Sequence, residues 1–214
     1  MSEQRHGCGA IPHAVRRVRS ERTDMLSQVD FTSGDWPSRF PRLFEETYVD
    51  YADARIAYSS GVAPDDLVAR LHVIAVTEQH EVVVCRSAEG WRFLPGGTRE
   101  PGESLRELAR RELLEEAGAV LEGPVIQFSA HRVASEREHP YRPHLPHPLA
   151  YWAYAVGPVR VAGPPANPPD GETVVEVLTL PAQQAAAYLD AGEDPIHADV
   201  LRHADELGLL RRSS

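Results

Sequence analysis

The stretch of sequence that decides the fold is GTREPGESLRELARRELLEEAG, which spans residues 97–118. Ser104 followed three residues later by Glu107 is a capping-box pattern, which predicts a helix that begins at about Ser104. Gly118 is suited to the left-handed conformation that closes a helix, so the helix is predicted to end just before it. The segment therefore reads as a Gly- and Pro-containing turn followed by a single helix.

One face of this predicted helix changes from apolar to acidic half-way along its length. Successive residues of an α-helix are about 100° apart, so Leu105, Leu108 and Ala109 share one arc. The residues of the same arc one or two turns further on are Glu112, Glu115 and Glu116. An ordinary amphipathic helix would continue this stripe with Leu or Ala. Three carboxylates in that place repel one another and are costly to desolvate unless a cation compensates them.

Carboxylate oxygens are ligands that suit Mg²⁺ or Mn²⁺, and Mg²⁺ commonly binds through a few carboxylates, several waters and the phosphates of a substrate. Arg111 lies four residues before Glu115 and is placed to hold it by an i,i+4 contact. The alternative for any run of glutamates is a solvated acidic face with salt bridges. The spacing of the whole segment favours the metal site.

That spacing resembles the signature of the Nudix hydrolases, G-x5-E-x7-R-E-U-x-E-E-x-G-U, in which U is a bulky aliphatic residue. The matching residues are Gly97, Glu103, Arg111, Glu112, Leu113, Glu115, Glu116 and Gly118. The last position holds Ala119, a departure that we expect to weaken a packing contact without touching the chemistry. The resemblance implies an α/β protein with the Nudix fold, in which a mixed β-sheet is sandwiched between α-helices.

The resemblance also implies a pyrophosphohydrolase that uses Mg²⁺ or Mn²⁺ as its cofactor. Water would attack phosphorus in a nucleoside diphosphate linked to another group, so the expected partner is a small nucleotide-type molecule. The implied metal ligands are the carbonyl of Gly97 and the carboxylates of Glu112, Glu115 and Glu116. The alternative is a catalytically silent module of the same fold that senses a nucleotide without turning it over.

Further roles follow from the resemblance. Glu103 would orient the site or bind metal through water, and Arg111 would hold the glutamates in register. The family does not keep its general base in one place, and the candidates in this chain are Glu115, Glu136, Glu138, Asp170 and Glu172. Glu115 is the first choice and Glu172 the second.

Substrate contacts are expected from residues that suit stacking on a base or binding a phosphate. The candidates are Arg86, Trp91, Arg99, Tyr141 and Arg142. The last two belong to a stretch rich in His and Pro, residues 139–148, whose prolines prevent regular structure. An exposed connector without a ligand role is the alternative for that stretch, and core packing is the alternative for Trp91.

The composition and charge of the chain exclude several classes of partner and binding motif. The chain has 214 residues and a formal net charge of −10, which argues against nucleic acid or an anionic membrane as the main partner. All basic residues except histidine are arginine, and without lysine a P-loop is excluded. No run of about 18 apolar residues predicts a membrane span. The two cysteines, Cys8 and Cys85, lack framework spacing, so we expect reduced thiols in a cytoplasmic protein.

The chain is expected to divide into three parts. Residues 1–30 lack periodicity and predict a mobile tail. Residues 31–66 predict a helical extension, with a helix over residues 41–58 that forms a dimer contact, covers a sheet edge or walls the pocket. Residues 67–212 predict the Nudix domain. Its expected strands span residues 71–77, 81–86, 124–134, 149–161 and 173–180, and its two last helices begin near Pro181 and Pro195.

Overall fold

A mixed β-sheet is the centre of the structure. The computed structural model describes residue 31 and residues 33–168, 173–192 and 195–211. The strands in this part of the chain are β1 (Thr47–Val49), β2 (Ala54–Ser60), β3 (Val68–Val76), β4 (Glu81–Ser87), β5 (Arg92–Phe93), β6 (Gly96–Thr98), β7 (Ala119–Leu121), β8 (Ile126–Ser135), β9 (Leu149–Val161) and β10 (Val174–Pro181).

The main path of the sheet runs in the order β1-β2-β8-β9-β3-β4-β10, while β5, β6 and β7 pair with β4, β3 and β9. The pairing of β3 with β9 is parallel, and the other recorded pairs are antiparallel. Strand β3 therefore lies in the middle of the sheet, where it pairs with β9 on one side and with β4 and β6 on the other.

Helices cover both faces of this sheet. The helices of the described residues are α1 (Trp36–Arg39), α2 (Pro41–Phe44), α3 (Leu105–Ala117), α4 (Ala182–Asp190) and α5 (Ile196–Glu206). Because successive side chains of a strand point to opposite faces, Val73 packs in one core with α3 while Ile74 packs in another with α4 and α5. The predicted sandwich of helices around a mixed sheet is confirmed.

The strands and helices predicted around the turn and helix of residues 97–118 are present with small shifts of their ends. Strands β3, β4, β8, β9 and β10 cover the five predicted runs, and β3 and β4 form the expected antiparallel pair through Val76 and Val82. Helices α4 and α5 begin after Pro181 and Pro195, as predicted. Cys85 is buried in β4, and its thiol donates a hydrogen bond to the carbonyl of Glu116 at 3.4 Å.

The predicted helix over residues 41–58 is wrong. The chain there forms the single turn of α2, then β1, a short 3-10 turn and β2. Asp53 adopts a left-handed conformation with φ of 50° just before β2. Strand β2 buries Ala54, Ile56 and Tyr58 on one face and pairs along its whole length with β8. Pairing with a strand far along the chain overrides the local helical spacing, so residues 31–66 add strands to the sheet instead of a helical layer.

Some expectations fall on residues that the structure does not describe. These are the tail of residues 1–30 with Cys8, and the base candidates Asp170 and Glu172. Among the described residues, no helix is both long enough and apolar enough to cross a membrane.

Candidate functional site

Helix α3 has the boundaries that its sequence predicts. The Oγ atom of Ser104 accepts a hydrogen bond from the backbone N–H of Glu107 at 3.3 Å, and the Glu107 carboxylate accepts one from the N–H of Ser104 at 2.9 Å. At the other end, Gly118 takes the left-handed conformation with φ of 57°. Leu108 and Leu113 are fully buried against the sheet. The caps and these apolar residues fix the rotation of the helix and therefore the direction of its glutamates.

The short strand β6 brings backbone against these glutamates. Gly97 pairs with Leu71 of β3, and a Cβ atom added at Gly97 would collide with the carboxylate of Glu112. The backbone N–H of Gly96 donates a hydrogen bond to Oε2 of Glu116 at 2.7 Å. Only a residue without a side chain permits this approach at position 97, so the glycine of the signature has a steric cause.

Arg111 is the centre of the hydrogen-bond network at this site. Its Nε and Nη2 atoms donate to the two carboxylate oxygens of Glu103 at 2.9 and 3.0 Å, which is a bidentate contact. Its Nη1 atom donates to Glu112 at 2.7 Å and to Glu115 at 3.2 Å. Nη2 also donates to the carbonyl of Thr98 at 3.0 Å. One guanidinium thus fixes three carboxylates and strand β6 relative to one another.

The carboxyl groups of the site differ in their pKa values. Burial raises the pKa of Glu112 above its usual value, and the contact with Arg111 only partly offsets this effect. Burial also acts on Glu103, but the hydrogen bonds from Arg111 and from the backbone N–H of Glu100 outweigh it and hold the pKa of Glu103 below its usual value. Glu112 is therefore the carboxylate that most needs a further positive charge.

The donor set fits a hard divalent cation. Four glutamates and one arginine face one another, so the site carries an excess of negative charge. The side-chain atoms available to bind a metal are all carboxylate oxygens. The close approach of Gly97 to Glu112 leaves the backbone of β6 beside the carboxylates. Among the described residues, no three acidic, His or Cys side chains are already grouped as a metal cage. To hold a cation, the carboxylates of Glu112 and Glu116 would therefore have to turn toward a common point.

The residues expected to contact substrate are distributed over several places. Arg86 pairs with Glu176 at 3.2 Å, on the face of the sheet opposite to Cys85 and α3. Trp91 follows β4 and is 45% exposed. Arg99 donates to the carbonyls of Glu103 and Asp65, both at 2.6 Å, and so ties two turns together.

The stretch of residues 139–148 contacts the turn that precedes α3. Arg142 pairs with Glu100 at 2.6 Å, and a ring nitrogen of His144 is 2.8 Å from the carbonyl of Arg99. Two candidates for the general base lie just before this stretch. Glu136 pairs with Arg55 at 3.2 Å, and the side chain of Glu138 is 90% exposed.

A cavity of about 180 Å³ lies between this stretch and the sheet, and its walls are mainly apolar. Tyr141 is the one substrate-contact candidate among the described residues that line it. The cavity is also lined by Trp152 and Arg70, which were not predicted as site residues, and by Tyr51, which lies in the stretch wrongly predicted as a helix. No local pattern distinguishes these three residues, because they come from a turn and two strands that meet only in the folded sheet.

Comparison with known proteins agrees with this geometry. A family model described as the NUDIX domain matches residues 67–204, which is more than half of the chain. No curated protein matches the sequence. A variant of the pyrophosphohydrolase BsRppH of Bacillus subtilis is 16% identical over 78% of this chain and 99% of its own, with a TM-score of 0.55. A NUDIX hydrolase from Nitrosomonas europaea is 18% identical over 67% of this chain and 97% of its own, with a TM-score of 0.41. The first of these two likenesses shows a shared fold.

Proposed function

The chain belongs to the Nudix hydrolase family, and from that premise we propose that it cleaves a pyrophosphate bond in a nucleoside diphosphate linked to another group, with Mg²⁺ or Mn²⁺ bound at α3. The main observation in support of this proposal is that the acidic face of α3 packs against the backbone of Gly97. A buried carboxylate with a raised pKa and an excess of negative charge around it is stabilised when a divalent cation binds. A pyrophosphate brings the remaining oxygen ligands.

Four groups of this chain are proposed to hold the cation. Glu112 and Glu116 lie on the side of α3 that faces β6, and Glu115 lies on the other side of Glu112 and is only partly buried. The carbonyl of Gly97 is the fourth group, because the absence of a side chain lets the backbone approach Glu112. When bound, the cation neutralises charge that develops on the phosphoryl oxygens during displacement.

Arg111 and Glu103 are proposed as positioning residues. The bidentate contact between them leaves Nη1 of Arg111 directed at Glu112 and Glu115. Glu103 is anchored in turn by the N–H of Glu100 at 2.9 Å, so the turn before α3 and the helix are held together. This network limits the rotamers of the glutamates and so reduces the entropy lost when a cation binds.

Glu115 is also the proposed general base, as the alternative to its role as a metal ligand. Its side chain is 26% exposed and has one 3.2 Å contact with Arg111, so one carboxylate oxygen is open to a water molecule. Glu136 is less suited, because Arg55 already pairs with it. Glu172 remains the second choice as a proposal from the sequence.

A phosphate-release screen tests this function. The substrates are ADP-ribose, NADH, dinucleoside polyphosphates, nucleoside triphosphates and nucleotide sugars, each with Mg²⁺ or Mn²⁺, with and without a coupled phosphatase. We expect turnover of at least one class, lost with EDTA and in Glu116→Gln. The matched control is Glu122→Gln, because Glu122 is an exposed glutamate whose partner is Arg160.

The outcome of this screen separates two functions. Turnover that survives in Glu116→Gln would contradict the assignment of the site. If the folded, metal-loaded protein binds nucleotides yet hydrolyses none of them, the sensing module replaces the hydrolase. The net charge of −10 favours a small, metal-bound substrate over nucleic acid as the partner. The lack of framework spacing between Cys8 and Cys85 is the basis for proposing a cytoplasmic location.

A further inference from the structure

His197, in the first turn of α5, contacts the segment of residues 94–97, which leads into the acidic site at α3. We propose that His197 is a positioning residue for the cation. It fixes the backbone that orients Glu116 and presents the carbonyl of Gly97, and it touches neither the cation nor the substrate. This inference rests on the proposed function for the identity of the ligand. It rests on the hydrogen bonds of residues 94–97 for the role of His197.

Two contacts of residues 94–97 involve proposed ligands of the cation. The N–H of Gly96 donates a hydrogen bond to Oε2 of Glu116 at 2.7 Å, and the backbone of Gly97 lies against the Glu112 carboxylate. The carbonyl of Gly97 is itself a proposed ligand. A shift of this short segment would therefore change the surroundings of three of the four groups that are proposed to hold the cation.

The beginning of the segment is held by His197. Leu94 follows β5, and its N–H donates a hydrogen bond to Nδ1 of His197 at 3.1 Å. Leu94 has no solvent-exposed surface, so loss of this acceptor would leave a buried N–H without a partner. The peptide group that joins β5 to residues 94–97 is therefore held by a side chain of α5.

This hydrogen bond defines what a substitute for His197 must supply. An imidazole nitrogen that accepts a hydrogen bond carries no proton, so the proton of the neutral ring is on Nε2. The side-chain oxygen of Asn is as many bonds from Cα as Nδ1 is, whereas the side-chain oxygen of Gln is one bond further away. Asn can therefore replace the acceptor in its place, and Gln cannot.

Helix α5 is a firm support for the contact with Leu94. Val200 and Leu201 are buried in the core on this face of the sheet. The Asp199 carboxylate accepts a hydrogen bond from Nε of Arg42 at 2.7 Å, which ties α5 to α2. The helix is thus held by contacts that do not involve α3, so it can serve as a fixed reference for residues 94–97.

The ring of His72 restricts the orientation of His197. His72 is opposite Gly96 in the pairing of β3 with β6, and its ring centroid is 4.6 Å from that of His197, with the two planes inclined by 58°. A Cβ atom added at Gly96 would collide with the backbone of Leu71 and His72, so the segment lies directly against β3. The packing of the two rings keeps Nδ1 of His197 directed at the N–H of Leu94.

Binding of Mn²⁺ to the full-length protein without substrate tests the proposal, and the electron paramagnetic resonance signal measures the free Mn²⁺. Groups that orient metal ligands contribute about 10- to 100-fold to metal affinity, and His197 acts one step further out, so His197→Leu should weaken Mn²⁺ binding by about 10-fold. His197→Asn should retain most of the affinity, and His197→Gln should resemble His197→Leu.

The order of these three variants separates positioning from packing. Asn is the smallest of the three substitutes, so a role in filling space alone would make His197→Asn the most damaging of them. The control is Arg202→Gln, which removes contacts of α5 with Asp190 and Asp199 but leaves His197 in place. It should keep the Mn²⁺ affinity within about two-fold of wild type. Thermal melting without divalent ions checks that each variant is folded.

Turnover provides a second readout once the phosphate-release screen has found a substrate. The activity that His197→Leu loses at low Mg²⁺ should be largely restored at high Mg²⁺, and the KM for the substrate at high Mg²⁺ should match that of wild type. A loss of kcat that excess Mg²⁺ does not reverse would contradict a role through the cation.

Two binding results would overturn the role of His197. The first is that folded His197→Leu binds Mn²⁺ as tightly as wild type does, and the second is that His197→Asn binds it no better than His197→Gln. If His197→Leu does not fold, the comparison of the Asn and Gln variants decides the question.

The glutamate variants distinguish a failure of this role from a failure of the proposed function. If Glu112→Gln and Glu116→Gln weaken Mn²⁺ binding while the His197 variants do not, only the role of His197 is rejected. If the glutamate variants bind Mn²⁺ as wild type does, the cation site at α3 and the role of His197 are both rejected. If Mn²⁺ binding depends on His197 but the screen finds no turnover, the hydrolytic function fails while the positioning role stands.

Discussion

Gly97 and Glu112 are in direct contact, and the backbone of Gly97 lies so close to the Glu112 carboxylate that no side chain fits between them. Strand pairing holds Gly97 against Leu71, and a hydrogen bond from Arg111 holds the Glu112 carboxylate, so an added side chain would have to displace one of the two. The backbone of Gly97 thus already lies beside the Glu112 carboxylate before any ligand binds. This relationship makes position 97 a steric test of the site that removes none of its charged groups.

Gly97→Ala is expected to reduce kcat/KM by about 100-fold, because the methyl group displaces Glu112 or β6 by on the order of 1 Å. The measurement is turnover of the substrate found in the screen, with melting curves to show that the variant is folded. Gly163→Ala is the control, since an added Cβ at Gly163 has no atom within 4 Å. Equal loss of activity in both variants would contradict the steric argument.

Arg111→Gln is expected to lower the free energy of unfolding by about 1.5–3 kcal/mol, because charge-assisted hydrogen bonds are lost and the glutamates then face one another without a compensating cation. Urea denaturation without divalent ions measures this change. Arg110 is the adjacent, exposed arginine, and Arg110→Gln should stay within about 0.5 kcal/mol of wild type. Added Mg²⁺ should restore part of the loss in Arg111→Gln, and no recovery would argue against a cation at the glutamates.

Divalent cations should raise the melting temperature of the wild-type protein. At a free cation concentration 100 times the dissociation constant, the gain is about 2.7 kcal/mol, or roughly 5–10 °C for a domain of this size. Glu112→Gln and Glu116→Gln should each remove most of this shift, while Glu122→Gln should keep it. A shift of the same size in all four proteins would place the bound cation somewhere other than α3.

The turn and helix of residues 97–118 could be predicted because their determinants are local. Ser104 and Glu107 cap one end, Gly118 closes the other, and the glutamates follow from helical periodicity alone. Because an α-helix is regular, the positions of its two ends determine where each carboxylate lies. The same holds for β3, β4 and β9, whose β-branched and aromatic runs are continuous in sequence.

The remaining features could not be predicted because long-range pairing decides them. Residues 41–58 have helical spacing, but β2 gains more from pairing with β8 than a short amphipathic helix would gain from its own turns. The cavity depends on Tyr51, which Arg137 holds, and on Trp152, which the pairing of β3 with β9 places beside Arg70. The sequence does not indicate that either ring lines a cavity, because a single aromatic residue more often packs in a core.

Buried histidines on the other face of the sheet make the stability of the fold depend on pH. Burial lowers the pKa of His131 to about 3 and that of His203 to about 4. His131 is hydrogen-bonded to the hydroxyl of Tyr154 at 3.1 Å, and His203 to that of Tyr58 at 2.8 Å. Burial likewise lowers the pKa of His72 well below its usual value. All three rings are therefore neutral in the folded protein near pH 7.

Stability should fall as the pH decreases below about 6.5, the pKa of histidine in an unfolded chain. The unfolded chain then binds protons that the folded chain does not bind, so the stabilisation is complete above pH 6.5 and is lost progressively toward pH 4. Each histidine adds at most about 1.4 kcal/mol per pH unit, so urea unfolding at pH 7.5 and 5.0 should differ by several kcal/mol. His203→Gln should reduce this slope, and exposed His139→Gln should not. An unchanged slope in His203→Gln and in His131→Gln would assign the acid sensitivity to other groups.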